Sequence, residues 1–101
     1  MKVIDHEPRW WFLLQEDGKL FLDANCNHSF VGYDFLVQLS SEEQERYARE
    51  GRTFINHLAT EIQDSAPVLT ISTSRFKGRD LSKIYSDKVT QAIENWRAKV
   101  W

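Results

Sequence analysis

Apolar residues along the chain recur with two different periods, and the change of period divides it into strands and helices. Residues 9–15 (RWWFLLQ) are aromatic and aliphatic, which favours a strand. Residues 19–25 (KLFLDAN) read as its return, because Asp17-Gly18 between two apolar runs is a hairpin signal. Asn25 to Ser29 is polar and reads as a turn. In residues 30–39 the odd positions Val31, Tyr33, Phe35, Val37 and Leu39 are all apolar, while the even set is mixed. That period of two predicts a third strand with one buried face. These three strands form an antiparallel meander.

The period then lengthens. Ser40-Ser41-Glu42-Glu43 has the form of a capping box, with Ser40 accepting from an early helical N–H and Glu43 reaching back. Glu42, Glu43 and Glu45 also suit the positive end of a helix. Tyr47, Gly51, Phe54, Ile55, Leu58, Ala59 and Ile62 place one apolar stripe on about six turns of helix. Gly51 in that stripe predicts a close approach to the sheet, and Ser65-Ala66-Pro67 ends the helix. Residues 68–73 (VLTIST) are β-branched and predict a fourth strand. From Asp80 or Ser82 onward, Leu81, Tyr85, Val89, Ala92, Ile93, Trp96 and Val100 give a second striped helix. One stripe per helix predicts a two-layer α+β domain. Both long helices, with Leu58 and Trp96 as core residues, cover one face of a four-stranded sheet and leave the other open.

A length of 101 residues allows one domain, spanning the whole chain. Thirteen per cent aromatic content excludes intrinsic disorder, and a single cysteine, Cys26, excludes a disulfide framework. The opening MKVIDHEPRWW lacks a long apolar stretch, so no secretory leader is expected. The longest wholly apolar run, Trp10 to Leu14, is too short to span a bilayer. A cytoplasmic protein without membrane contact is expected.

Net charge is −2, unevenly spread. Residues 1–50 hold ten carboxylates against five basic side chains, whereas residues 51–101 hold eight bases against five carboxylates. Such asymmetry marks an interaction surface or simply solvated faces. Near-neutrality argues against a protein dominated by phosphate contacts.

Candidate chemistry is sparse. Cys26 with His28 or His57 provides a thiol and an imidazole, but nothing orients the base and no oxyanion hole is recognisable. His6, His28, His57 and Cys26 show neither C-x-x-C nor H-x-x-x-H spacing, so no metal is expected. The four glycines are isolated, and no phosphate-cradling loop or other cofactor signature occurs. An enzyme is therefore not expected. Asp23 and Asp34 stand out as carboxylates flanked by apolar residues within strands. If they share the open face with Phe21, Phe30 and Leu36, they form a partner-binding surface. An acid/base pair for glycoside cleavage is the other chemistry two carboxylates offer, but a flat sheet gives it no pocket. Arg75-Phe76-Lys77-Gly78-Arg79 is the best nucleic-acid signal, with cations for phosphates and Phe76 to stack on a base. Its structural alternative is a loop anchored by Phe76 with its bases in solvent.

Several segments in this order resemble a known group. They are Asp17-Gly18-Lys19, the run LFLDANCNHSF from Leu20 to Phe30, and FLVQL from Phe35 to Leu39 entering SSEE. The pattern continues with Tyr47, Gly51, Phe54 and Leu58, and ends with Ala92, Ile93, Trp96 and Arg97. Together, over residues 10–97, they resemble small immunity proteins paired with the toxic C-terminal domains of bacterial contact-dependent growth inhibition systems. The resemblance implies a cytosolic protein that binds one cognate toxin, often a nuclease, and blocks it. These proteins share no catalytic signature, so no site residue is carried over. An acidic surface facing a basic nuclease cleft is the pairing the resemblance implies. The candidate contacts are then Glu16, Asp17, Phe21, Asp23, Asp34, Glu42 and Glu43. Steering by charge and anchoring by aromatics are the physical means. The alternative is a small nucleic-acid-binding adaptor using residues 75–79.

Overall fold

A computed structural model describes residues 1–28, 31–65, 76 and 78–100. Four strands form one antiparallel sheet in sequence order: β1 (Lys2–Glu7), β2 (Trp11–Glu16), β3 (Lys19–His28) and β4 (Val31–Gln38). Helices α1 (Ser41–Glu50), α2 (Arg52–Ser65) and α3 (Ser82–Val100) complete an α+β fold. The β2–β3 hairpin turns on Asp17 and Gly18, with φ of 51° and 75°. Two successive positive φ values are the primed turn that matches strand twist, and Gly18 takes its share without strain.

The meander β2–β3–β4 is as expected, but the fourth strand is β1, at the chain start, where sequence reasoning placed nothing. Residues 68–73 lie outside the described residues. The expected polar turn at 25–29 is also corrected, since β3 continues through Asn25 and Cys26 to His28. Cross-strand pairing Asn25↔Asp34 and Cys26↔Tyr33 supplies backbone partners that override the local turn preference.

The two helical stripes lie on opposite faces of the sheet, and this corrects the two-layer expectation. Phe54, Ile55, Leu58, Ala59 and Ile62 of α2 pack with Trp11, Leu13, Leu22, Ala24, Phe35 and Val37. On the other side Val89 and Ala92 of α3 pack with Leu14, Phe21 and Leu36. Pleating puts alternate residues of β2, β3 and β4 into the two cores, so a three-layer sandwich results. Leu58 is core, at 1% exposure, whereas Trp96 is only half-buried.

The expected long first helix is two helices. Ser40 accepts from the Glu43 N–H and the Glu43 carboxylate accepts from the Ser40 N–H, so the capping box is present. Gly51 then breaks the helix at φ 65°, donating to the Tyr47 carbonyl. A Cβ there meets nothing within 4 Å, so its backbone angle, not a close approach to the sheet, explains the glycine.

Segment 79–82 closes the outer edge of β4. The carbonyls of Asp34, Leu36 and Gln38 accept from Ser82 Oγ, the Leu81 N–H and the Arg79 guanidinium, respectively, and the Leu36 N–H donates to Asp80. An edge satisfied this way is no template for another strand.

Candidate functional site

Two of the six acidic candidates, Glu16 and Glu43, are matched inside the molecule. Glu16 pairs with Lys88 of α3 and with the N-terminal ammonium, at 3.1 and 3.2 Å. The Lys88 hydrogen bond, followed by that of the ammonium, holds its carboxyl below the usual range. Glu43 is 6% exposed and meets Arg79 at 2.8 Å as well as capping α1. Asp5 and Glu7 of β1 pair with Arg52 at the start of α2, and Arg52 also donates to the His6 carbonyl. The charge split between the chain halves is thus used in folding, as sheet and α1 acids meet bases from the helices and the loop before α3. Steering by an acidic half is not needed to account for it.

The remaining candidates separate by position. Asp17 is exposed in the hairpin turn and Glu42 is exposed in the first turn of α1. Phe21, expected on an open face, is 1% exposed and packs against Tyr85 at a ring separation of 5.3 Å. It belongs to the second core because α3 covers that face.

Asp23 and Asp34 do share a face. Asp23 pairs with Leu36 and Asn25 with Asp34, which makes the two aspartates diagonal neighbours, roughly 7–8 Å apart along the sheet. The face is not flat. The C-terminal half of α3 rises beside the strands and leaves a cleft of about 480 Å³ lined by His6, Phe12, Asp23, Asp34, Ile93 and Trp96. Arg9 and Arg97 also line it, and both are exposed. A smaller notch of about 100 Å³ adjoins it at the same two carboxylates and reaches Ser82, Ser86 and Thr90.

The cleft wall is an aromatic cluster. His6 stacks on Phe12 at 5.7 Å, and Trp96 meets His6 at 4.4 Å and Phe12 at 5.6 Å, edge-on in both cases. Neither aspartate has a cationic side-chain partner among the described residues. Burial pushes the Asp23 carboxyl up to about 7, and the nearby Asp34 and Asp80 carboxylates add to the rise. The arrangement suits a ligand that brings positive charge and apolar surface together.

Sequence reasoning missed His6, Phe12 and Trp96 as site residues. Trp96 was legible as the last large apolar position of the helix stripe, where α3 outruns the core. His6 and Phe12 depend on the β1–β2 pairing His6↔Phe12, for which β1 gave no signal.

The other candidates meet structural constraints. Cys26 is buried on β3, and desolvation pushes its thiol up to about 11, far from an activated nucleophile. His57 is exposed on α2. Among the described residues no three His, Cys, Asp or Glu side chains gather where they could hold a metal ion. Phe76 is wholly buried, so it anchors its loop and offers no stacking face. Arg79 is committed to Glu43 and the Gln38 carbonyl. Residues 75 and 77 lie outside the described residues. No helix among the described residues is long and apolar enough to cross a membrane.

Comparison with protein-family models, with curated proteins and with solved structures finds no match to this chain.

Proposed function

We propose that this chain is a stoichiometric protein inhibitor, an immunity protein that binds and neutralises the toxic C-terminal domain of a contact-dependent growth inhibition system. Asp23 and Asp34 are the observation that carries it. Asp5, Glu7, Glu16 and Glu43 are matched within the fold. In an aromatic-walled cleft, half-buried Asp23 and exposed Asp34 pair with no cationic side chain among the described residues. Holding a half-buried carboxylate without a partner costs stability in the free protein. A basic partner surface recovers that cost, as a nuclease active site, rich in Lys and Arg for phosphate, does. Function by occupancy requires no turnover, and the interior Cys26 thiol is left as a packing residue.

The test is co-expression. The candidate toxin domain is the C-terminal region of whatever protein is encoded immediately upstream of this chain, cloned in an inducible vector. Growth arrest on induction, relieved by this chain and accompanied by a 1:1 complex in gel filtration, is the expected result. Growth arrest that persists at equal expression, with no complex, overturns the reading. RNA degradation during the arrest would identify a ribonuclease.

A further inference from the structure

The distribution of charge within the cleft narrows what the partner inserts. Its two carboxylates sit where the cleft and its notch meet, Asp23 half-buried and Asp34 exposed, with hydroxyls of Ser82, Ser86 and Thr90 in the adjoining notch. Its two guanidinium groups, Arg9 and Arg97, are exposed. Apolar and aromatic surface from Phe12, Ile93 and Trp96 lies between. A small free cation gains the carboxylates but leaves the rings unused and the exposed bases unmatched. A side chain with a long apolar stem and a cationic tip uses both, and acidic neighbours beside it meet Arg9 and Arg97.

We propose that the cleft is a receptor for one arginine side chain of the partner protein, its guanidinium seated between Asp23 and Asp34 and its stem against Phe12 and Trp96, with acidic residues flanking it in the partner's sequence. Arginine fits better than lysine on three counts. Its five N–H donors in a planar fork reach two carboxylates set a diagonal apart. It is more weakly hydrated than an ammonium, so less is lost on entering an aromatic-walled site. Its charge also sits favourably over aromatic rings, as those of Arg46 and Arg52 already do over Phe54 and Trp11 elsewhere in this fold. An arriving cation offsets the burial that chiefly raises the Asp23 carboxyl and the repulsion from Asp34 and Asp80 that adds to it. The inference rests on the inhibitor reading for the nature of the donor, a protein.

The probe is the peptide Ac-Glu-Arg-Glu-NH2, titrated into 15N-labelled protein while the indole N–H signals of the four tryptophans are followed. The Trp96 signal, assigned through Trp96→Phe, is expected to move saturably. Replacing arginine by citrulline, which keeps the shape and removes the charge, weakens binding at least tenfold, and lysine weakens it at least threefold. Asp23→Asn and Asp34→Asn each cost at least tenfold, and Glu94→Gln, at an exposed position on α3, changes nothing. The near-isosteric Asn variants keep the wild-type amide spectrum elsewhere, which separates loss of binding from loss of fold. No saturable shift, equal binding of the citrulline peptide, or binding indifferent to both Asn variants overturns the proposal. Failure of the peptide with intact protection in the co-expression experiment rejects the arginine receptor and leaves the inhibitor reading. Peptide binding without protection does the reverse.

Discussion

Asp23→Asn removes a charge that the fold disfavours and keeps nearly the same volume. The Asp23 carboxyl is raised from an ordinary 3.8 to about 7, chiefly by burial and then by Asp34 and Asp80. Each tenfold change in proton affinity is about 1.4 kcal/mol, so the ionised form is about 4 kcal/mol less favourable in the fold than in the unfolded chain. The folded state holds a proton that the unfolded state has already released between pH 3.8 and 7, so this group's contribution to stability falls as pH rises through that window and is constant above it. Water in the cleft screens part of the cost, which leaves about 2–4 kcal/mol. Urea melts of both proteins at pH 4 and pH 8 measure it. The variant is expected to gain on the wild type by about 2–4 kcal/mol between the two pH values. Subtracting one protein's pH dependence from the other's removes the groups they share. A difference that is the same at both pH values refutes the account of Asp23 as an unpartnered carboxylate.

Other consequences concern the two cores and the internal pairs. Leu58→Ala should cost about 2–5 kcal/mol and Phe21→Ala about 3–5 kcal/mol in urea melts, because each empties a different core. A loss under 1 kcal/mol at Phe21 would mean that α3 does not cover that face. Arg79→Ala removes the guanidinium from the buried Glu43 carboxylate and should cost about 1–3 kcal/mol, with Glu43→Gln relieving part of the loss in the double variant. With its thiol raised to about 11, Cys26 should resist thiol reagents at pH 7.4 until denaturant is added. Reaction within minutes in the native state would contradict its burial.

What the sequence made legible was local. The Asp-Gly turn, the Ser40–Glu43 capping box and the apolar stripes each have a cause within a few residues, and each is present. The strand β1 was not legible, because KVIDHE mixes charges with its apolar residues and is held by its pairing with β2 and by Arg52 and Trp96 from the helices. The side of the sheet each helix covers is a tertiary fact that a stripe alone does not fix. A signal did exist in Trp11-Phe12-Leu13-Leu14 and Leu20-Phe21-Leu22. Unbroken apolar runs in strands mean that both faces are covered. Asp23 and Asp34 were legible as anomalous strand carboxylates. Their cleft was not, since it requires α3 on their face and β1 bringing His6 beside Phe12. The charge asymmetry was visible but ambiguous, and the Arg52, Arg79 and Lys88 pairs resolve much of it as internal.

The most direct measurement is calorimetric titration of the upstream-encoded toxin domain with wild-type protein and with two double variants. If the cleft carries recognition, Asp23→Asn with Asp34→Asn weakens binding by at least about 2 kcal/mol, or about thirtyfold. Asp17→Asn with Glu42→Gln, exposed and outside the cleft, then changes affinity little and acts mainly through association rate. Wild-type affinity in the cleft variant, with the loss appearing in the hairpin and α1 pair, would contradict the account and place the toxin on those acidic ends.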